Sequence, residues 1–133
     1  MIFLRYWGPV CAYAAFIFYM SSQSHPEEHL PSFIKLFSDK VIHVAAYAVL
    51  GALCYRALRS NRRDWWRQQA IPVAILLASL YGITDEIHQS FVPFRDSSWL
   101  DWLADTIGGT IGAIAMHWVF NLKPVNSLPE AQL

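Results

Sequence analysis

Four apolar stretches, roughly Ile2 to Met20, Val41 to Leu58, Ala70 to Thr84 and Trp102 to Phe120, occupy most of a chain of 133 residues. Each approaches the length of about 20 residues that a helix needs to cross the hydrocarbon core of a bilayer. Polar connections separate them, and little chain is left over for any other fold. Hydrophobic residues make up 55% of the chain and charged residues 15%, an apolar shift that argues against an ordinary soluble domain. The stretches also lack the polar faces at a 3.6-residue period that a soluble helical core would carry. Arg5 ahead of the first run raises a signal peptide as an alternative, but no small-x-small cleavage pattern precedes the segment SSQSHPEEH. The predicted fold is therefore all-α: an integral membrane four-helix bundle, antiparallel, forming one domain over residues 1–123, with a flexible tail over residues 124–133.

Basic residues set the orientation. Arg56, Arg59, Arg62, Arg63 and Arg67 crowd the connection between the second and third stretches, opposed only by Asp64, so this loop is expected on the cytoplasmic side. Both termini then lie inside, in keeping with Arg5 and Lys123, and the first and third loops lie outside. Trp65 and Trp66 fall at the inner interface and Trp99 and Trp102 at the outer one, as amphipathic rings prefer. Ten Lys plus Arg balance ten Asp plus Glu, so the total says nothing about partners and the placement of the charges matters instead. The bilayer itself is the first partner, and no nucleic-acid partner is expected.

With that topology the ionisable residues gather at the outer end. Asp39, Lys40 and His43 open the second span, Asp85, Glu86, His88 and Gln89 close the third, and Asp101 and Asp105 open the fourth. Asp39, His43 and Tyr47 recur every four residues, as do Asp101 and Asp105, so each set shares a helix face. Gly108 and Gly112 form a GxxxG pair near the Asp105 face, which admits another helix backbone and turns Asp105 into the bundle. Asp39 and Asp101 are expected in first helical turns, where a carboxylate suits the positive end of the macrodipole, and Ser98 with Asp101 fits a capping box.

Asp85 and Glu86 are different, because acids at the C-terminal end of a helix oppose its dipole. The third apolar run covers only about 22 Å against roughly 30 Å of hydrocarbon, which places these acids within the outer leaflet. They require a compensating cation, for which Lys40, Arg95, a bound metal or a ligand are the candidates. Arg95, in the loop SFVPFRDSS, offers a planar fork of donors, and pairing with one of the acids is favoured over gripping an external anion. His88 alone and His117 read as interface histidines, and His25 and His29 as solvated loop residues. Cys11 and Cys54 have no metal or redox spacing.

The strings SSQS, DKVIHVAAYAVLGAL and YGITDEIHQSFVPFRDSSWLDWLADTIGGTIG, within about residues 17–115, resemble the VanZ-like family of small bacterial membrane proteins. The resemblance implies a VanZ-like four-helix domain, multi-pass in the bacterial cytoplasmic (inner) membrane. It also implies a role in the cell envelope, where the founding member lowers susceptibility to the glycopeptide teicoplanin. The family's polar positions carry over to Asp39, Lys40, His43, Tyr47, Asp85, Glu86, His88, Gln89, Arg95, Asp101 and Gly108. Phe94 stands where glycine is common and Asp105 where asparagine is common, which predicts a less flexible outer loop and a more acidic site.

Two functions stay open. In one, the outer polar site binds a lipid headgroup or a lipid-linked cell-wall precursor, with Arg95 and Lys40 on the anion. In the other, Asp85, Glu86, His88, His43 and Asp101 form a divalent-metal site or an acid and base pair of a membrane-embedded hydrolase or transferase. An ion pathway is disfavoured, since Tyr55, Arg56 and His117 are almost the only polar groups of the inner half. A polar network that merely ties helices together is the remaining alternative.

Overall fold

Backbone N–H and C=O groups removed from water have to be bonded within their own segment, so apolar stretches of this length fold as helices. The computed structural model describes residues 2–24 and 32–122. It contains α1 (Ile2–Ser21), α2 (Ser32–Arg59), α3 (Asp64–Gln68), α4 (Ala70–Gln89) and α5 (Trp99–Leu122), with no strand among the described residues. Two segments, Phe37–Arg59 and Ala70–Gln89, are long and apolar enough to cross a membrane. His25, His29, Lys123 and the tail over residues 124–133 lie outside the described residues.

The helices outrun the apolar stretches at the polar end. α2 begins at Ser32, so Asp39 sits well inside it and no acid occupies its first turn. α4 continues past Thr84 to Gln89, which makes its 20 residues about 30 Å long in place of the 22 Å of the apolar run. Polar side chains do not end a helix whose backbone would otherwise lose its partners. The arginine-rich connection also folds into the short α3, where Asp64 pairs with Arg67 one turn on and no residue is buried.

Side-chain ties fix the relative directions. Tyr13 of α1 donates to the Ala46 carbonyl of α2 at 3.1 Å, and the Arg56 guanidinium lies 5.3 Å from the Tyr6 ring centre, so numbers rise along one helix as they fall along the other. Trp102 Nε1 donates to the Ser79 carbonyl at 3.2 Å while Ser98 meets Glu86, which makes α4 and α5 antiparallel as well. α2 and α5 run the same way: Lys40 meets Asp101, His43 meets Asp105 and Tyr55 meets His117.

That parallel pair is packed backbone to backbone. A Cβ on Gly108 would stand 2.3 Å from the Val44 carbonyl oxygen, and one on Gly112 only 1.8 Å from that of Ala48. Gly51 returns the contact from α2, with the Gly109 carbonyl oxygen 2.2 Å from its own Cβ position. No other residue fits these positions, and the close approach is what the GxxxG spacing predicts. α4 lays a stripe of small buried residues, Ala70, Ala74, Ala78 and Gly82, against the pair. Large apolar side chains point the other way: Phe3, Phe16 and Phe18 of α1, Leu76 and Ile83 of α4, and Ile107, Ile111 and Trp118 of α5 are exposed.

Candidate functional site

The stripe on α2 and the first turns of α5 meet at the end of the parallel pair. Lys40 Nζ bonds Asp101 Oδ1 and lies 3.8 Å from Asp39 Oδ2. One turn deeper, His43 donates from Nδ1 to Asp105 Oδ1 at 2.7 Å, with His43 8% and Asp105 0% exposed. The second oxygen of Asp105 has no partner. It faces α4 at Gly82, where an added Cβ would stand 2.9 Å from it, so the glycine makes the space that the carboxylate occupies.

α4 contributes the remaining acids. Gln89 donates to Asp85 Oδ2 at 3.2 Å and to Ser21 Oγ of α1 at 2.8 Å. Glu86 Oε2 accepts the backbone N–H of Ser98 at 2.8 Å, while Ser98 Oγ accepts that of Leu100 at 3.2 Å. This is a capping box whose carboxylate comes from another helix: Asp101, expected to close it, is engaged by Lys40 instead. Glu86 thus has a structural task that position at a helix C-terminus did not suggest. Asp85 Oδ1, Glu86 Oε1 and the Tyr47 hydroxyl are buried without partners.

Three sequence expectations are corrected here. Neither Lys40 nor Arg95 compensates Asp85 and Glu86, because Lys40 serves Asp101 and Asp39. Arg95 forms no ion pair among the described residues; it donates to the Met20 carbonyl at 3.2 Å, in the last turn of α1, where a cation suits the negative end of the dipole. His88 turns away from the acids toward α1, where it lies 2.9 Å from Ser22 Oγ and its ring stacks on Phe18 at 4.3 Å. His117 is an interface histidine at the other end of α5, bonded to Tyr55 and Asn121.

Phe94 adopts φ 63°, the left-handed region that glycine enters without a Cβ penalty. A glycine at this position would carry no such penalty, and the phenylalanine carries backbone strain just before Arg95.

Beside the cluster, between α1, α2 and α4, opens a cleft of about 440 Å³. Phe16, Ile17, Met20, Ile42 and Ala46 supply its apolar wall, and Asp39, His43, Tyr47, Asp85, Gln89 and Arg95 its polar end. Lys35, not singled out in the sequence, lies at its margin. Of the residues expected at one site, the cleft thus gathers six; Lys40 and Asp101 form the adjoining ion pair, Glu86 and Asp105 lie behind it, and His88 stands apart.

These features define a class: a protein all-helical among its described residues, with two helices long and apolar enough to cross a membrane and a buried, acid-rich polar cluster at one end of a tightly packed helix pair. The chain belongs to the VanZ/LLP1 family, whose model matches residues 6–121. No curated protein and no solved structure matches it significantly.

Proposed function

We propose that this protein is a four-span, antiparallel inner-membrane bundle with both termini cytoplasmic, and that its outer-end cleft binds an amphiphile of the cell envelope, a lipid headgroup or lipid-linked precursor. The alternating helix directions, the arginines of residues 56–67 and the exposed apolar flanks of α1, α4 and α5 support the topology. One observation carries the binding reading: a single cleft joins an apolar wall, formed by Phe16, Ile17, Met20 and Ile42, to a polar end that includes Arg95. An acyl or prenyl chain fits the first and a headgroup the second. Arg95, whose Nε has no partner, is the group for a phosphate oxygen, with Lys35 beside it; Lys40 is already committed to Asp101.

A deletion strain complemented with Ala46→Trp and with Arg95→Gln, alongside profiling of lipids that copurify with each variant, tests this. Filling the cleft should remove the copurifying lipid and the response to teicoplanin or other envelope stress at unchanged membrane abundance. Full complementation by both variants, with the same lipids retained, would refute it. The His43–Asp105 pair at the cleft favours a second reading, a hydrolase or transferase acting on the bound lipid. That reading requires a change in lipid mass on incubation with wild-type protein that His43→Ala abolishes.

A further inference from the structure

We infer that His43, Glu86 and Asp105 hold a divalent metal cation between α2, α4 and α5. One ligand atom from each of the three lies within 4.8 Å of the others, and the residues are 8%, 7% and 0% exposed. The inference goes beyond the lipid reading and does not depend on what occupies the cleft.

Proximity alone would not make a site, since buried acids also gather for structural reasons. What points to a ligand is the state of their oxygens. Glu86 Oε1 and Asp105 Oδ2 are buried and have no hydrogen-bond partner, and the Tyr47 hydroxyl, one turn along α2 from His43, is 1% exposed and has none either. A buried carboxylate oxygen without a donor is costly, and apart from the Tyr47 hydroxyl and Arg95 Nε the donors named at this end are already committed. Ser98 N–H is used by Glu86 Oε2, and Gln89 by Asp85 and Ser21. Lys40 is held by Asp101 and Asp39, and Arg95 donates one guanidinium N–H to the Met20 carbonyl. Gly82 keeps the α4 side of Asp105 open where any other residue would press on Oδ2.

Charge leads to the same place. Asp39, Asp85, Glu86, Asp101 and Asp105 lie at this end, with Lys40 as the one cation, and His43 as the imidazole, in contact with them among the described residues. Two carboxylates and a neutral imidazole balance one divalent cation. The donor set of one nitrogen with carboxylate oxygens suits zinc or manganese better than calcium or magnesium, which take oxygen ligands alone. The Gly108 and Gly112 contacts hold α2 and α5 rigidly, so His43 and Asp105 are preorganised to receive the ion.

The test uses full-length protein in lipid nanodiscs, stripped with a chelator and then titrated with zinc and with manganese salts. Metal content, calorimetry and the shift in thermal unfolding are read. The expected result is about one equivalent of zinc or manganese per chain with a raised unfolding temperature. Glu86→Gln and Asp105→Asn should each weaken that binding roughly tenfold or more while His88→Ala leaves it intact. The stripped variants report their own folding through the same unfolding transition, so lost binding is separable from lost structure. Folded wild-type protein that takes up neither metal, or variants that bind as well as wild type, would overturn the assignment. In the first case the carboxylates are neutralised by protons, and Asp105→Asn should then be at least as stable as the wild type.

Discussion

The two ends of the α2–α5 pair use the same device with opposite results. At one end Tyr55 bonds His117 Nδ1 at 2.8 Å, and Asn121 completes the imidazole from the other nitrogen at 2.9 Å, leaving none of the three with an unpartnered buried atom. At the other end Lys40 and His43, three residues apart, reach Asp101 and Asp105, four apart, yet buried oxygens of Asp105, Glu86 and Asp85 stay without donors. Both ends clamp the same two helices. A clamp needs only satisfied partners, as the Tyr55 end has, and the surplus of acceptors at the Lys40 end calls for something more than clamping.

The largest effect is expected from removing the spine that both ends share. Gly112→Leu places carbon 1.8 Å from the Ala48 carbonyl oxygen, so the helices have to part, at a cost of about 3 kcal/mol or more. Membrane abundance and unfolding in detergent should both collapse; normal values would mean that the spine does not set either end. Next, Lys40→Met strands the Asp101 carboxylate and should cost roughly 3 kcal/mol, largely restored by adding Asp101→Asn. If the double variant is no better than the single one, Lys40 has a task beyond neutralising Asp101. Tyr55→Phe at the satisfied end should cost only about 1 kcal/mol and leave complementation of a deletion strain untouched. A loss of phenotype at normal abundance would erase the distinction between the ends. Smallest of all, Phe94→Gly should raise the unfolding temperature through a gain of up to about 1 kcal/mol, because glycine accepts φ 63° without strain.

What could be read from the sequence was what repeats within one helix. Asp39, His43 and Tyr47 announce a face by their spacing, and Gly108 with Gly112 announces a close approach, because both signals are local. Partnership between helices is not local. Nothing in the spacing says that Lys40 takes Asp101, 61 positions away, or that Glu86 caps Ser98. Sequence position groups His88 with the acids at their end of α4, although two residues of helix turn it about 200° from Glu86 and toward α1. The small-residue stripe from Ala70 to Gly82, every fourth position, is likewise a local signal and marks the packing face of α4. The short α3 carries no apolar period, since none of its residues is buried.

The span of 61 positions between Lys40 and Asp101 also bears on how the protein is made. Ribosomes add about 5–20 residues per second, so α2 emerges roughly 3–12 s before the aspartates that will receive its lysine and histidine. During that interval Lys40 and His43 have no acceptor on α5, and burying a helix that bears them unpaired in apolar surroundings is costly. Synthesis of α5 is therefore also the step that lets α2 come to rest, and a truncation before Trp99 should leave the earlier helices as a substrate for quality-control proteases.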